Sequence, residues 1–86
     1  MVEAKVILQN PTGLHARPAS IFVTQAAKFK SDIFIVKDGK EVNAKSILNI
    51  LAIGAKKGDE ITLKIAGEDE KEALDTLVKL LEGLNE

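Results

Sequence analysis

Apolar and polar residues alternate from Val2 to Gln9, with Val2, Ala4, Val6 and Leu8 on one side and Glu3, Lys5, Ile7 and Gln9 on the other. This period of two predicts a half-buried strand. Asn10-Pro11-Thr12-Gly13 ends it, because Pro11 has no N–H to pair and Gly13 tolerates a positive φ. The spacing of Ala19, Phe22, Val23, Ala26 and Phe29 or Lys30 predicts a helix from Ala16 to Lys28, with one apolar stripe. Ile33 to Val36 lie in a β-rich run from Asp32 to Lys37. That run meets a second one, Lys40 to Asn43, across Asp38-Gly39, the two-residue signature of a hairpin. Ser46 precedes seven residues, Ile47 to Ile53, closed by Gly54, which predicts a short helix with a serine N-cap and a glycine just past its end. Ile61, Leu63 and Ile65 alternate in a strand from Glu60 to Ala66. After Gly67, Glu68-Asp69-Glu70 puts negative charge at the positive end of a last helix, whose stripe is Ala73, Leu74, Leu77, Val78, Leu81 and Leu84.

The predicted order is βαββαβα, an α+β fold. Strands with one apolar face and amphipathic helices to cover it imply an open-faced β-sandwich, a four-stranded antiparallel sheet with three helices on one side. A chain of 86 residues is expected to form a single domain, residues 1–86, burying roughly 60–65% of its unfolded surface in one core. Hydrophobic residues at 45% and charged residues at 29% argue against disorder, and no apolar run approaches the roughly 20 residues that a bilayer requires. The first residues, Met1 to Lys5, lack the layout of a signal peptide, so a cytoplasmic location without membrane insertion is expected. With no cysteine and one histidine, neither a disulfide nor an ordinary zinc cluster is available, and no metal or cofactor is expected. A net charge of -1 with three aromatic residues, all Phe, offers no field or stacking platform for direct nucleic-acid binding.

The chain's one imidazole, His15, falls at the mouth of the first helix, within Thr12-Gly13-Leu14-His15-Ala16-Arg17-Pro18-Ala19-Ser20. The first amides of a helix have no internal acceptors and carry about half a positive charge between them, so those of Ala16 and Arg17 are suited to phosphate oxygens. Pro18 in the first turn gives up an N–H that the helix does not use and fixes a helical φ. Helix-end charge and the Arg17 guanidinium both favour the neutral imidazole, which is the nucleophile. A phosphoryl group of roughly two negative charges would then be held by the same groups. From the residues alone His15 is either such an acceptor or an ordinary turn or cap residue.

Gly-Leu-His-Ala-Arg-Pro-Ala, Gly13 to Ala19, resembles the active-site motif of the HPr family of histidine-containing phosphocarriers, and the element order and length match that family over essentially the whole chain. The resemblance implies a sheet order of 1-4-2-3. It also implies a phosphocarrier of the bacterial sugar phosphotransferase system, a substrate of other enzymes with no turnover of its own. His15 would be phosphorylated on Nδ1 by enzyme I from phosphoenolpyruvate and would pass the group to a sugar-specific enzyme IIA. Arg17 would be the phosphate partner. A monomer is expected.

The second helix is apolar at six of seven positions and cannot bury them all. Ile47, Leu48 and Leu51 share one arc while Ile50 and Ile53 point elsewhere, and periodicity does not say which group is core. The resemblance implies that Ile47, Leu48 and Leu51, with Ser20, form the surface that docks enzyme I, enzyme IIA and regulatory partners. Ser46 reads from the residues as an N-cap. Lys45-Ser46-Ile47-Leu48 resembles the regulatory site that HPr kinase/phosphorylase phosphorylates in some members, a form that also binds a catabolite-control repressor. A phosphate there would set two negative charges beside the docking patch and weaken binding to enzyme I. The chain departs from common family choices at Thr24, Leu48, Asn49 and Leu51, which bears on partner choice and leaves the chemistry intact. Competing classes are a regulatory or nitrogen-branch paralogue acting as a binding module, and a hydrolase using His15 as base. For the latter no nucleophile or paired carboxylates accompany the histidine.

Overall fold

In the computed structural model, which describes residues 1–84, the elements follow the expected order: β1 (Val2–Ile7), α1 (Ala16–Ala26), β2 (Asp32–Lys37), β3 (Lys40–Asn43), α2 (Ile47–Ile53), β4 (Glu60–Ala66) and α3 (Glu70–Glu82). The strands form one antiparallel sheet in the order β1-β4-β2-β3, with Ala4 opposite Leu63 and Leu63 in turn opposite Ile35. The three helices pack on the face that carries Val6, Ile33, Ile35, Ile61, Leu63 and Ile65, all buried. From above, α1 contributes Ala19, Phe22 and Ala26, and α3 contributes Ala73, Leu77 and Leu81. Alternation along the strands thus becomes one continuous core, while Glu3, Lys5 and the half-exposed Ile7 occupy the open face of β1.

Two predicted boundaries shift. The first strand ends at Ile7 and not at Gln9: Leu8 still donates to the Asp59 carbonyl (3.0 Å) and accepts from Gly58 (2.7 Å), but those partners belong to the turn ahead of β4. The first helix ends at Ala26 and not at Lys28, because the chain tightens there. Lys28 N–H reaches Gln25 O at 3.1 Å and Phe29 N–H reaches Ala26 O at 3.2 Å, three residues back in place of four. The Lys45 ammonium then donates to the Phe29 carbonyl (2.7 Å), tying the approach to α2 onto the end of α1.

Just past that junction the acidic run before α3 is used more specifically than a helix dipole requires. Asp69 precedes the helix without capping it. Its carboxylate instead accepts from the backbone N–H groups of Lys30 (2.9 Å) and Ser31 (3.0 Å) and from the Ser31 hydroxyl. These hydrogen bonds, the Ser31 hydroxyl first, hold the Asp69 carboxyl below the usual carboxylate range. Glu70 reaches back to Gly67 N–H at 3.1 Å.

Candidate functional site

His15 is the N-cap residue of α1, in extended conformation (φ -73°, ψ -176°), and its carbonyl accepts the first helical bond from Ala19 N–H at 2.8 Å. Its side chain makes no capping hydrogen bond and lies exposed. The helix therefore does not consume the imidazole, and the first-turn amides beside it are those of Ala16 and Arg17, Pro18 having none. His15, Ala16 and Arg17 line an open depression together with Thr12 and Pro18. His15 also borders a second depression of about 350 Å³ with Leu14, Leu51, Gly54, Ala55 and Lys56.

What positions the imidazole is mostly backbone. Asn10, a buried polar residue, donates from Nδ2 to the Gly13 carbonyl (2.7 Å), and Gly13 N–H returns to Asn10 O (3.2 Å), so the turn is clamped at both ends. Gly13 has φ +59° and sits so close to the 55–56 backbone that a Cβ there would meet the Ala55 carbonyl oxygen, with Lys56 Cα at 2.6 Å. Leu14 is buried and donates to that same Ala55 carbonyl at 3.0 Å. The 56–59 turn is fixed in its own right: Lys56 N–H donates to Asp59 Oδ2 (2.8 Å) and Asp59 N–H to Lys56 O (3.0 Å). The bond from Lys56 N–H, helped by the Lys37 ammonium 3.5 Å away, holds the Asp59 carboxyl below the ordinary range despite the opposing cost of its burial.

Ser46 occupies the N-cap of α2, half-buried, and accepts from Asn49 N–H through its hydroxyl at 3.4 Å. Gly54 closes the same helix in the left-handed conformation (φ 68°). The seven-residue helix spans about 10 Å at 1.5 Å per residue, with its C-terminal end bordering His15 and its N-terminal end carrying Ser46. The ambiguity about its faces is resolved. Ile50 is fully buried, Ile53 packs against the core, and Ile47, Leu48 and Leu51 are 37%, 75% and 39% exposed. Ser20 is exposed on α1, whose exposed Ile21 (44%) adds an apolar group that the sequence reading did not single out.

Sequence reasoning placed His15, Ala16 and Arg17 together, and the structure does the same. It missed Gly54 and Lys56 as neighbours of the histidine. They approach from some forty residues away, and the only local signal was that Gly13 and Gly54 both punctuate elements. Among the described residues, no three His, Cys, Asp or Glu side chains gather as metal ligands, and no helix is long and apolar enough to cross a membrane.

A family model described as the PTS HPr component phosphorylation site matches residues 2–83. Over 77 residues the chain is 52% identical to the HPr-like protein Crh of Bacillus subtilis, covering 90% of this chain and 91% of that one. It is 46% identical to the phosphocarrier protein HPr of Mycoplasma pneumoniae over 83 residues, 95% of this chain and 94% of the other. The crystal structure of an HPr from Thermoanaerobacter tengcongensis superposes with a TM-score of 0.93 at 49% identity, covering 95% and 92% of the two chains. A crystal structure of an HPr dimer from the same organism matches at 0.76 over 95% and 94%.

Proposed function

The chain belongs to the HPr family, and on that premise we propose that it is a phosphocarrier of the sugar phosphotransferase system in which residues 1–86 act as one domain and His15 accepts and returns the phosphoryl group. The observation that carries this reading is the His15 side chain at the mouth of α1, exposed, making no capping bond, and flanked by the Ala16 and Arg17 amides. In the forward step the Nδ1 lone pair attacks phosphorus on phosphorylated enzyme I. The new N–P bond forms as the donor's N–P bond breaks, and the donor keeps the bonding pair. The Ala16 and Arg17 N–H groups and the Arg17 guanidinium meet the charge that arrives. Transfer to enzyme IIA is the same exchange in reverse. The protein is consumed and regenerated by its partners, needs no cofactor, and works in the cytoplasm.

The docking surface in this reading is Ile47, Leu48 and Leu51 with Ser20, continuous with His15 through Leu51. Ser46, at the other end of the same helix, is the regulatory site for HPr kinase/phosphorylase. Its phosphate would repel an acidic partner and would mark the chain for a catabolite-control repressor. The 52% identity to the HPr-like protein Crh favours a second reading, a regulatory module that uses Ser46 alone; the presence of His15 favours the carrier. Incubation with enzyme I and phosphoenolpyruvate, followed by mass measurement before and after mild acid, separates them. An acid-labile phosphate absent from His15→Ala is the expected result. Equal labelling of parent and His15→Ala would overturn the carrier reading. Acid-stable labelling from ATP and the kinase should require Ser46. A monomer is the assembly proposed, and sedimentation at working concentration distinguishes it from the dimer known for the Thermoanaerobacter relative.

A further inference from the structure

The two depressions that flank His15 each carry one basic residue, Arg17 on the side of α1 and Lys56 on the side where α2 ends. Lys56 is no loose surface lysine at its root. Its Cα lies against Gly13, its N–H is held by Asp59 Oδ2 at 2.8 Å, its carbonyl accepts from Asp59 N–H at 3.0 Å, and the preceding carbonyl is bonded to Leu14, next to the histidine. The backbone thus fixes where the lysine stem starts, and its flexible four-carbon chain carries a compact ammonium.

The charges around it are unequally distributed. No Asp or Glu lies in residues 10–20 or 46–58, the two stretches that make the site, whereas those stretches hold Arg17, Lys56 and Lys57. Asp59 is a carboxylate that feels Lys56, and it is already engaged by the Lys56 N–H and by the Lys37 ammonium at 3.5 Å. A dianionic group on His15 would bring roughly two negative charges beside this loop.

We infer that Lys56 is a second cationic partner of the phosphorylated His15, bracketing the phosphoryl group from the side opposite Arg17. This rests on the carrier reading. Lys56 takes part in no bond change: the N–P bond to His15 forms as the donor's breaks, and the ammonium lowers the energy of the charged product. It is a positioning residue for the dianion. The consequence is a phosphorylated state favoured over the free one, and a phosphoryl group that loses its last proton more readily.

The test is phosphorus NMR titration of the phosphorylated protein, prepared with enzyme I and phosphoenolpyruvate, for the parent, Lys56→Gln, Lys56→Arg and the adjacent Lys57→Gln. An exposed charge pair changes an equilibrium by about two- to five-fold. The second ionisation of the phosphoryl group should therefore move up by about 0.3–0.7 pH units in Lys56→Gln, while Lys57→Gln and Lys56→Arg stay near the parent. A matching two- to five-fold fall is expected in the equilibrium share of phosphoprotein against enzyme I. A shift shared equally by Lys56→Gln and Lys57→Gln would mean a diffuse field and overturn the assignment, as would no shift in either. A parent that takes no phosphate on His15 overturns the carrier reading and this inference together, and is told apart by the absence of any phosphohistidine signal.

Discussion

Replacing Gly13 with alanine tests whether the histidine is positioned by backbone contact. The substitution imposes two separable costs. A side chain at φ +59° costs about 1–2 kcal/mol relative to glycine, partly offset by about 0.4–1 kcal/mol because alanine restricts the unfolded chain. The second cost is steric: the new Cβ would lie 2.6 Å from Lys56 Cα and 2.9 Å from Lys56 C, and closer still to the Ala55 carbonyl. All three are backbone atoms, and they are pinned by the Leu14 and Asp59 hydrogen bonds. Overpacking of this kind costs about 1–3 kcal/mol, or the loop lifts and loses the 3.0 Å Leu14–Ala55 bond, worth about 1 kcal/mol. Gly39→Ala is the internal control, since Gly39 has φ +81° and open space where the Cβ would go. Its cost is strain alone. Gly13→Ala should therefore be less stable than Gly39→Ala by about 1–3 kcal/mol in urea unfolding, where each kcal/mol also moves the thermal midpoint by about 4–8 °C in a domain of this size. Amide shifts in the Gly13 variant should concentrate at Leu14, His15, Ala55 and Lys56. Equal destabilisation of the two variants would refute the argument that the 13–15 turn is wedged against the 55–56 strand of backbone.

Further outcomes are expected along α2 and at Asp69. Leu48→Asp, at a residue 75% exposed, should leave the unfolding midpoint within about 0.5 kcal/mol of the parent while weakening enzyme I binding in calorimetry; Ile50→Ala, two residues on and fully buried, should cost about 2–5 kcal/mol. Ser46→Ala should lose at most about 0.5 kcal/mol, the low end for a cap, because its hydroxyl is 3.4 Å from Asn49 N. Ser46→Asp should instead reduce the rate of His15 phosphorylation by enzyme I. Asp69 has its carboxyl pKa lowered by the Ser31 hydroxyl and the Lys30 and Ser31 amides, so its contribution is full above the ordinary carboxylate value and is lost as pH falls through the lowered one. Asp69→Asn should flatten that acid-side fall in stability below about pH 4, and an unchanged pH profile would count against it.

The parts of this fold that can be read from the chain are those whose signal is local. Alternation at Val2 to Leu8 and at Ile61 to Ile65, the Asp38-Gly39 turn and the α3 stripe all report a period, and the period survives folding. Boundaries are read less well where the backbone switches bonding partner without changing residue type. Leu8 leaves β4 for the 58–59 turn, and Lys28 tightens onto Gln25. Periodicity also lacks an absolute phase. It divides Ile47, Leu48 and Leu51 from Ile50 and Ile53, yet only packing decides that Ile50 faces the core. The same applies to Asp69: the sequence predicts a charge near a helix end, whereas its hydrogen bonds run to residues 38 and 39 positions earlier.

At the candidate site this division has a chemical consequence. The groups proposed to meet phosphate, His15, Ala16 and Arg17, are consecutive and therefore legible as a motif, while the groups that hold them in place come from Asn10 on one side and from Ala55, Lys56 and Asp59 on the other. A carrier must present its imidazole to more than one protein, and a side chain locked by hydrogen bonds would lose those bonds at each transfer. Here the imidazole makes no capping bond, and orientation is supplied from beneath by main-chain contacts that need not change when phosphate arrives or leaves. Reorganisation between the two states is then confined to charge, which rigid amides and mobile cations can meet without moving the fold. Substitutions of surface side chains around His15 should accordingly alter rates and partner choice, whereas substitutions that disturb Asn10, Gly13 or the 55–59 turn should alter stability and reactivity together.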